Sequence, residues 1–263
     1  MSFRDKWEFN AEKQRDHIID WIKDYFVKNG PDAKAVIGIS GGKDSTIAAA
    51  LLVRALGADR VIGVLMPNGT QKDIADSRRV CEHLGIPSFE VNIGAACTAL
   101  YHAIDVGYDY DKQCDKNPMV ATNTPARMRM ATLYAVAALV GGRVCCNGNR
   151  SERYVGYTTK FGDSAGDFAL LMDYTVREVL LIGDTLDLPS DLVHKAPADG
   201  MCGATDEDNL GFTYEELDNF ILENEYPKYD TYKKICQKHQ ASNHKRNHIP
   251  FCQNTTGRDY VSF

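Results

Sequence analysis

The sequence predicts an α/β fold: a doubly wound, mainly parallel sheet with helices on both faces. Short apolar strands alternate with helical patterns along the chain, and this alternation indicates parallel strands joined by crossover helices. A glycine-rich turn joins the first strand directly to a helix. The composition, 44% hydrophobic and 25% charged over 263 residues, is that of an ordinary globular protein. We therefore expect residues 1–263 to form a single domain.

The first half of the chain supplies the repeating strand and helix units. Apolar residues at helical spacing around 18–26, ended by Asn29-Gly30-Pro31, predict an amphipathic helix in an N-terminal arm of about residues 1–30. The repeat then begins: strands at 35–39, 61–66 and 89–93 are each followed by a helix, at 43–56, 74–84 and 96–104. Gly57 is expected to end the helix at 43–56.

The second half contains longer polar segments. Thr124 and Pro125 are expected to open a helix that runs to Val140, as N-cap and first helical residue, before a fourth strand at 144–146. Residues 147–167 lack apolar periodicity and predict a long functional loop at the carboxyl end of that strand. Capping boxes at Thr175-x-x-Glu178 and Thr213-x-x-Glu216 predict two more helices, and residues 196–211 predict a mobile flap.

Charge and cysteine usage narrow the possible classes of function. The chain has 30 Lys and Arg against 36 Asp and Glu, a net charge of −6, so it has no global positive field for nucleic acid or an anionic membrane. No apolar run approaches the roughly 18 residues that predict a membrane-spanning helix. The eight cysteines form no C-x-x-C pair and suit a reducing compartment. We expect a cytoplasmic protein with no nucleic-acid or membrane partner.

The sharpest local motif lies between the first strand and the first Ala-rich helix. It comprises Gly38, Ile39, Ser40, Gly41, Gly42, Lys43, Asp44 and Ser45. Its glycines, its hydroxyls and the following helix N-terminus suit a bound phosphate. The spacing is neither that of a Walker A motif nor that of a Rossmann fingerprint. Asp44 beside phosphates implies a bridging Mg²⁺, although an acidic residue is also favoured in any first helical turn.

The SGG-x-DS pattern resembles the loop of the N-type ATP pyrophosphatases, which cleave ATP between its α and β phosphates. Further segments resemble one branch of that superfamily, the ammonia-dependent NAD synthetases, and occur in the same order. They are Met66–Gln71, Asn123–Met130, Gly148–Glu152, Tyr157–Asp163, Lys195–Pro197, Thr205–Gly211 and His244–Arg246. The resemblance spans roughly residues 18–250 and implies an adenine nucleotide α-hydrolase-like fold, usually as a homodimer.

The resemblance also implies a role for individual residues. Residues 38–45 would bind ATP, with Lys43 and Asp44 serving catalysis and Asp44 and Glu152 holding Mg²⁺. Gln71 would lie near the adenosine. Deamido-NAD, the acid form of the dinucleotide, would contact Arg127, Lys160, Asp167, His244 and Lys245. From the residues alone, an alternative stays open: Arg127 and Lys160 could be surface charges, and residues 244–246 could form a solvated basic face.

The implied reaction joins ammonia to deamido-NAD. The carboxylate is first activated by ATP as an acyl-adenylate with loss of pyrophosphate, and ammonia then attacks the acyl carbon and displaces AMP. Mg²⁺ and Lys43 would offset charge on the departing pyrophosphate. Neither a nucleophilic Ser nor a nucleophilic Cys is required. A glutamine-hydrolysing domain is not expected within 263 residues.

Four positions depart from the pattern of that family. Asn147, Val176 and Ala198 stand where the family has Thr, Lys, and Thr or Ser, and Leu65 stands where some members have Arg. In the family these four positions face ATP. Arg177 lies next to Val176, but one residue along a helix turns the side chain by about 100°, so Arg177 does not point in the direction of the missing Lys. Two alternatives therefore stay open: another ATP pyrophosphatase with a different acyl or carbonyl substrate, or a non-catalytic dinucleotide-binding paralogue. A tRNA-thiolating enzyme is disfavoured by the acidic charge and the missing paired cysteines.

Overall fold

The computed structural model describes residues 8–71, 73–108, 117–195, 205–247 and 249–250. Within these ranges five strands form one fully parallel sheet in the order β3-β2-β1-β4-β5. The strands are β1 (Lys34–Gly38), β2 (Val61–Leu65), β3 (Ser88–Glu90), β4 (Gly142–Cys146) and β5 (Phe168–Ala169). The predicted parallel sheet is confirmed. The two-residue strand β5 was not predicted, because so short a segment has no detectable periodicity.

The helices surround this sheet. They are α1 (Ala11–Asn29), α2 (Lys43–Leu56), α3 (Ile74–Leu84), α4 (Gly94–Tyr108), α5 (Met119–Val140), α6 (Arg150–Val155), α7 (Val176–Gly183), α8 (Ser190–Val193), α9 (Asp206–Leu210), α10 (Tyr214–Glu223), α11 (Tyr229–Ala241) and α12 (Asn243–Arg246), with a 3₁₀ turn at Ala58–Arg60. The predicted bounds of α2 and α3 are confirmed. Both predicted capping boxes are formed, so α7 and α10 begin where Thr175 and Thr213 indicate.

Alternate residues of β1 point to opposite faces of the sheet, and each face is covered by helices. Ala35 and Ile37 belong to the main core with α1, α2 and α7, whereas Val36 belongs to a second core with α5. This two-sided burial confirms the predicted doubly wound architecture. Helix α1 contributes Ile18, Ile22 and Phe26 to the main core, so it packs directly on the body.

Helix α5 begins earlier than the sequence indicates. Thr124 is not its N-cap, because the helix starts at Met119, and Pro125 lies buried inside it. Pro125 removes a hydrogen bond to the carbonyl one turn earlier, which normally disfavours such a position. A tertiary contact supports the preceding turn: Asn123 Oδ1 accepts a hydrogen bond of 2.8 Å from the Thr159 hydroxyl. This tertiary contact therefore offsets the local preference against a proline inside the helix.

The predicted loop at 147–167 is also partly wrong, because it contains helix α6. Asn149 is the N-cap of α6 and forms a reciprocal capping box with Glu152. The Asn-x-x-Glu spacing is a local helix-start signal, but six helical residues are too few for an apolar period to be recognised. The remainder of the segment consists mainly of turns and ends at β5.

Residues 196–204 of the predicted flap, which include Ala198, lie outside the described part of the chain. The end of the predicted flap is helical, since α9 occupies Asp206–Leu210 and is started by a capping box between Thr205 and Asp208. Among the described residues, no helix has both the length and the apolar character needed to cross a membrane.

The order of the strands locates a cleft. The chain proceeds outward from β1 through β2 to β3, then returns to place β4 on the other side of β1. This reversal is a topological switch point, and doubly wound proteins bind ligands there, beyond the carboxyl ends of the strands. The loop after β1 and the loop after β4 both leave the sheet at this point.

Candidate active site

The loop after β1 is a tight turn held by two serine hydroxyls. Ser45 Oγ donates to the carbonyl of Gly42 at 3.1 Å, and the amide of Gly42 donates to Ser40 Oγ at 3.2 Å. Gly42 is the N-cap of α2, and its lack of a side chain means that it supplies no cap hydrogen bond. The first-turn amides of α2 have no intrahelical acceptors and can therefore bind an anion.

Gly41 is required in this turn by conformation and by space. Its φ of +77° lies in the left-handed region, where residues with a Cβ are strained. A Cβ placed there would lie 3.0 Å from both the Asp76 Cβ and the Ser77 amide nitrogen. The loop therefore packs closely against the start of α3.

Lys43 is a buried cation at the start of α2. The residue is only 6% exposed, its Nζ lies 3.1 Å from Asp44 Oδ2, and the Tyr214 ring centroid lies 5.6 Å from the same nitrogen. Burial disfavours the charged form, but the nearby carboxylates, first Asp44 and then Glu152, outweigh it and raise the pKa of Lys43. Lys43 therefore stays an ammonium beside the glycine-rich loop.

Asn149 joins the two carboxylates predicted to hold Mg²⁺. This fully buried residue donates from Nδ2 to Asp44 Oδ1 at 3.2 Å, while its backbone amide donates to Glu152 Oε2 at 3.2 Å. Burial, together with the neighbouring Asp44 carboxylate, raises the pKa of Glu152 to about 8. Two carboxylates in one poorly solvated place repel each other, and a divalent cation between them would relieve that repulsion.

These groups line a cleft of about 340 Å³ at the switch point. Carboxylates on its wall belong to Asp44, Asp73, Glu152, Asp163 and Asp206, and cations to Lys43, Arg129 and Lys195. Lys195 is held at one edge of the cleft, 2.6 Å from Asp76 Oδ2 and 3.4 Å from Asp73 Oδ2. Mixed charge of this kind can bind a polyphosphate together with its cation.

The structure brings most of the predicted ATP residues to this cleft. Its lining includes Gly38, Ile39, Ser40, Gly42, Lys43, Asp44, Ser45, Gln71, Asn147 and Glu152, whereas Gly41 packs against α3. Gln71 donates from Nε2 to Asp73 Oδ1 at 2.9 Å. Two of the four departing positions do not line the cleft: Leu65 is buried in the main core, and Val176 lies in an apolar cluster with Tyr214.

Asn147 links the ends of the two central strands. Its Nδ2 donates to the carbonyl of Gly38 at 2.8 Å, which fixes the orientation of the side-chain amide. Its Oδ1 is buried and has no hydrogen-bond partner among the described residues. At this position the side chain therefore connects the loop after β1 to the loop after β4.

The residues expected to bind deamido-NAD are only partly brought together. An Arg127 nitrogen lies 3.4 Å from the carbonyl of Lys160, and Lys160 Nζ donates to the carbonyl of His244 at 2.7 Å. Lys245 Nζ donates to the Gly156 and Thr158 carbonyls, so it holds the segment that precedes Lys160. Asp167 makes its contacts elsewhere: its carboxylate accepts from the Val144 amide at 2.7 Å and from the Tyr134 hydroxyl at 3.4 Å.

Sequence reasoning did not select several side chains that the structure places around the cleft. Arg129, Lys195 and Asp206 stood inside recognised motifs without an assigned role. Asn149 could have been found from its capping-box spacing to Glu152. Tyr214 gave no signal, because its proximity to Lys43 depends on the packing of α10 against elements distant in sequence.

The fold and the cleft define a doubly wound α/β protein with a phosphate-type glycine loop and a pair of partly buried carboxylates at its switch point. Residues 15–250 match the NAD synthase family, and the chain belongs to that family. The chain is 37% identical to the NH(3)-dependent NAD(+) synthetase of Pyrococcus furiosus over 213 residues, covering 81% of this chain and 78% of the relative.

Solved structures of two synthetases are similar to this chain in both fold and sequence. The NMN synthetase of Francisella tularensis superposes with a TM-score of 0.84 at 31% identity, covering 94% of this chain and 100% of that one. The NAD+ synthetase of Burkholderia pseudomallei gives a TM-score of 0.74 at 30% identity, covering 91% of each chain.

Proposed function

We propose that this protein catalyses the ATP-dependent amidation of deamido-NAD by ammonia, forming NAD, AMP and pyrophosphate through an acyl-adenylate. Membership of the NAD synthase family and the similarity to NH(3)-dependent NAD(+) synthetases support this reaction. The observation that carries the proposal is the placement of Lys43, Asp44 and Glu152 around one cleft beside the glycine-rich loop. This arrangement suits a nucleotide polyphosphate with a divalent cation.

The carboxylates of the cleft are suitable ligands for Mg²⁺. Asp44 and Glu152 offer carboxylate oxygens, which Mg²⁺ prefers, and Asn149 orients both through its hydrogen bonds. When bound, Mg²⁺ would supply positive charge that stabilises the pyrophosphate leaving group. The raised pKa of Glu152 fits a position where a cation stabilises the ionised form.

The protein's own groups would act on ATP as follows. The amides of the loop and the hydroxyls of Ser40 and Ser45 would bind phosphate oxygens, and Lys43 would donate from its ammonium to the departing pyrophosphate. A carboxylate oxygen of the acid substrate attacks the α-phosphorus as the bond to pyrophosphate breaks. Ammonia then attacks the acyl carbon, and AMP leaves with the oxygen that formed the bridge.

For the acid substrate we propose Arg127, Lys160, His244 and Lys245 as the binding group, with Asp167 as a further contact. The hydrogen bonds from Arg127 to the Lys160 carbonyl and from Lys160 to the His244 carbonyl support a shared site, because they bring these three basic residues close together. An acidic protein needs such a local basic group to hold a pyrophosphate and a carboxylate.

The Francisella NMN synthetase favours a second candidate function. Its TM-score of 0.84 exceeds the 0.74 of the Burkholderia NAD+ synthetase. The corresponding reaction for this chain would be the amidation of nicotinic acid mononucleotide, which has the same carboxylate but lacks the adenosine monophosphate half. The same activation by ATP would serve both acids.

We also propose that the chain acts as a single domain and forms a homodimer in the cytoplasm. Exposed apolar side chains on α4 and α5, including Leu100 and Leu139, support a subunit contact there. The free thiols of Cys81, Cys97, Cys145 and Cys146 are buried, as expected of a protein in a reducing compartment.

The deciding experiment supplies purified protein with Mg²⁺, ATP and ammonium, and with deamido-NAD or nicotinic acid mononucleotide in parallel reactions. The proposal expects NAD from the first reaction at a higher kcat/KM than that for the mononucleotide. A reversed preference would establish the second candidate. No amide from either acid would favour another acyl substrate, and failure to bind Mg·ATP as well would favour the non-catalytic paralogue.

A further inference from the structure

Tyr214 lies beside Lys43 although the two residues are 171 positions apart in the sequence. The Lys43 Nζ lies over the face of the Tyr214 ring, 5.6 Å from its centroid, within the range of a cation–π interaction. Both residues are buried, with Lys43 6% and Tyr214 4% exposed. Because water is largely excluded from the pair, the attraction between ammonium and ring is stronger than on a surface.

We propose that Tyr214 is a positioning residue for Lys43, with its ring holding the Lys43 ammonium at the phosphate-binding loop. This inference rests on the proposed function, in which Lys43 contacts the phosphates of ATP. One side of the ammonium is already occupied by Asp44 Oδ2 at 3.1 Å. An uncharged ring on another side stabilises the cation without a further carboxylate, so its positive charge stays available to a phosphate.

Tyr214 is itself held firmly. It is the first residue of α10, which the capping box between Thr213 and Glu216 starts, and its amide donates to Glu207 Oε1 at 2.8 Å. Its hydroxyl donates to Asp206 Oδ2 at 3.4 Å, and its ring packs with Val176 and Leu210. The ring therefore has a fixed orientation toward Lys43.

The electrostatic surroundings keep the ring neutral. Burial, with the carboxylates of Glu152, Asp206 and Asp44, raises the pKa of Tyr214 strongly. A neutral phenol has the negative ring face that attracts an ammonium and adds no net charge to the phosphate site.

The test compares three variants by titration calorimetry with Mg·ATP. Tyr214→Leu removes the ring, and its dissociation constant for Mg·ATP should rise about tenfold. Tyr214→Phe keeps the ring and loses only the hydroxyl, so it should stay within about twofold of the wild type. Phe212→Leu is the matched control, since Phe212 belongs to the same apolar cluster and undergoes the same aromatic-to-aliphatic change.

A double-mutant cycle separates positioning from a general structural effect. In a Lys43→Met background, Tyr214→Leu should change the affinity for Mg·ATP by less than about twofold, because the group on which the ring acts is gone. Equal weakening in both backgrounds would overturn the inference. So would equal weakening by Tyr214→Leu and Phe212→Leu. If the wild type itself failed to bind Mg·ATP, the proposed function would fail and this inference with it.

A second measurement does not depend on the folding of Tyr214→Leu. In NMR spectra of the wild type, the ε-methylene protons of Lys43, identified by their loss in Lys43→Arg, should show an upfield ring-current shift. The shift should persist in Tyr214→Phe. Ordinary lysine shifts in both folded proteins would overturn the inference.

Discussion

Asn149 donates a hydrogen bond from its side chain to Asp44 at 3.2 Å, joining the helix after β1 to the loop after β4. The same residue caps α6 and accepts a hydrogen bond from the Glu152 amide at 3.0 Å. One buried amide thus sets the relative positions of two carboxylates that are far apart in the sequence. The separation of these carboxylates therefore depends on how β1 and β4 lie side by side.

Asp44→Asn tests the role of this pair in the proposed reaction. The change keeps the size of the side chain and removes its charge, so Mg·ATP should be mispositioned and turnover should fall by roughly 100-fold or more. Affinity for the acid substrate should change little, since its proposed contacts lie around Lys160 and His244. Steady-state kinetics and calorimetry with deamido-NAD check the two expectations. Near-normal turnover with lost dinucleotide binding would contradict the assigned roles.

The bond that is broken in ATP gives a second prediction. The Asp-containing loop of the ATP pyrophosphatase type predicts AMP and pyrophosphate as stoichiometric products. With ¹⁸O in the substrate carboxylate, one labelled oxygen should appear in AMP, because that oxygen bridges the acyl carbon and the α-phosphorus in the acyl-adenylate. Mass spectrometry of the nucleotide product checks this. Formation of ADP and orthophosphate, or AMP without label, would rule out the proposed chemistry.

The buried thiol of Cys81 gives a prediction about pH and stability. Burial raises the pKa of Cys81 from 9.0 to about 11. The unfolded chain therefore loses this proton at lower pH than the folded protein, and the contribution to stability is complete below pH 9 and lost as pH rises toward 11. The expected loss at pH 11 is about 2 kcal/mol in the free energy of unfolding.

Cys81→Ala provides the comparison. Denaturant unfolding of both proteins across this pH range should show the wild type losing more stability than the variant at the alkaline end. The difference isolates Cys81, because the other buried thiols titrate equally in both proteins. Parallel curves would show that Cys81 ionises normally in the folded protein.

Exposed apolar side chains on α4 and α5 give a prediction about assembly. Leu100 is 41% exposed and Leu139 is 74% exposed, on helices that pack against each other. At micromolar concentration, light scattering should give twice the 29.2 kDa mass of the chain. The double change Leu100→Glu and Leu139→Glu should yield monomers, because charge is costly in a buried apolar contact.

Val27→Glu is the matched control for this surface, since Val27 is 70% exposed on α1. It should leave the dimer intact. A fully active wild-type monomer would contradict the proposed assembly, and dissociation by Val27→Glu alone would move the contact to α1.

Most of the fold can be predicted from the sequence, because in most elements the local sequence signals agree with the tertiary structure. The apolar strand, glycine turn and Ala-rich pattern give the bounds of α2 correctly, and Gly57 ends it. The start of α5 could not be predicted, because Pro125 is a strong local signal that the contact between Asn123 and Thr159 overrides. Local sequence patterns indicate the secondary-structure propensity of a segment, but they contain no information about its contacts with distant segments.

The same limit applies to the site. The loop at 38–45 was found because its residues are contiguous, and Glu152 because it lies in a recognisable motif. Lys195 lines the cleft from a recognised motif that gave it no role, and Tyr214 reaches Lys43 through packing alone. Val176 illustrates the converse: its position in the sequence suggested a contact with ATP, whereas its side chain is buried in an apolar cluster.

Gly41 provides the sharpest test of the loop, because the fold supplies a matched glycine elsewhere. Gly41 and Gly85 both have left-handed backbones, with φ of +77° and +64°, but only Gly41 is crowded. Gly85→Ala meets no atom within 4 Å, so it should cost only the strain of its conformation, about 1 kcal/mol in the free energy of unfolding. Its affinity for Mg·ATP should equal that of the wild type.

Gly41→Ala should cost more, about 2 kcal/mol or above, because its Cβ must also displace the start of α3. Asp76 Cβ and the Ser77 amide would each lie 3.0 Å from the new atom. Movement of the loop would misalign the amides proposed to bind phosphate, so Mg·ATP should bind at least about tenfold more weakly. Urea unfolding and calorimetry check both quantities. Two alanine variants of equal stability, both with wild-type affinity for Mg·ATP, would show that the close packing of Gly41 against α3 does not shape the site.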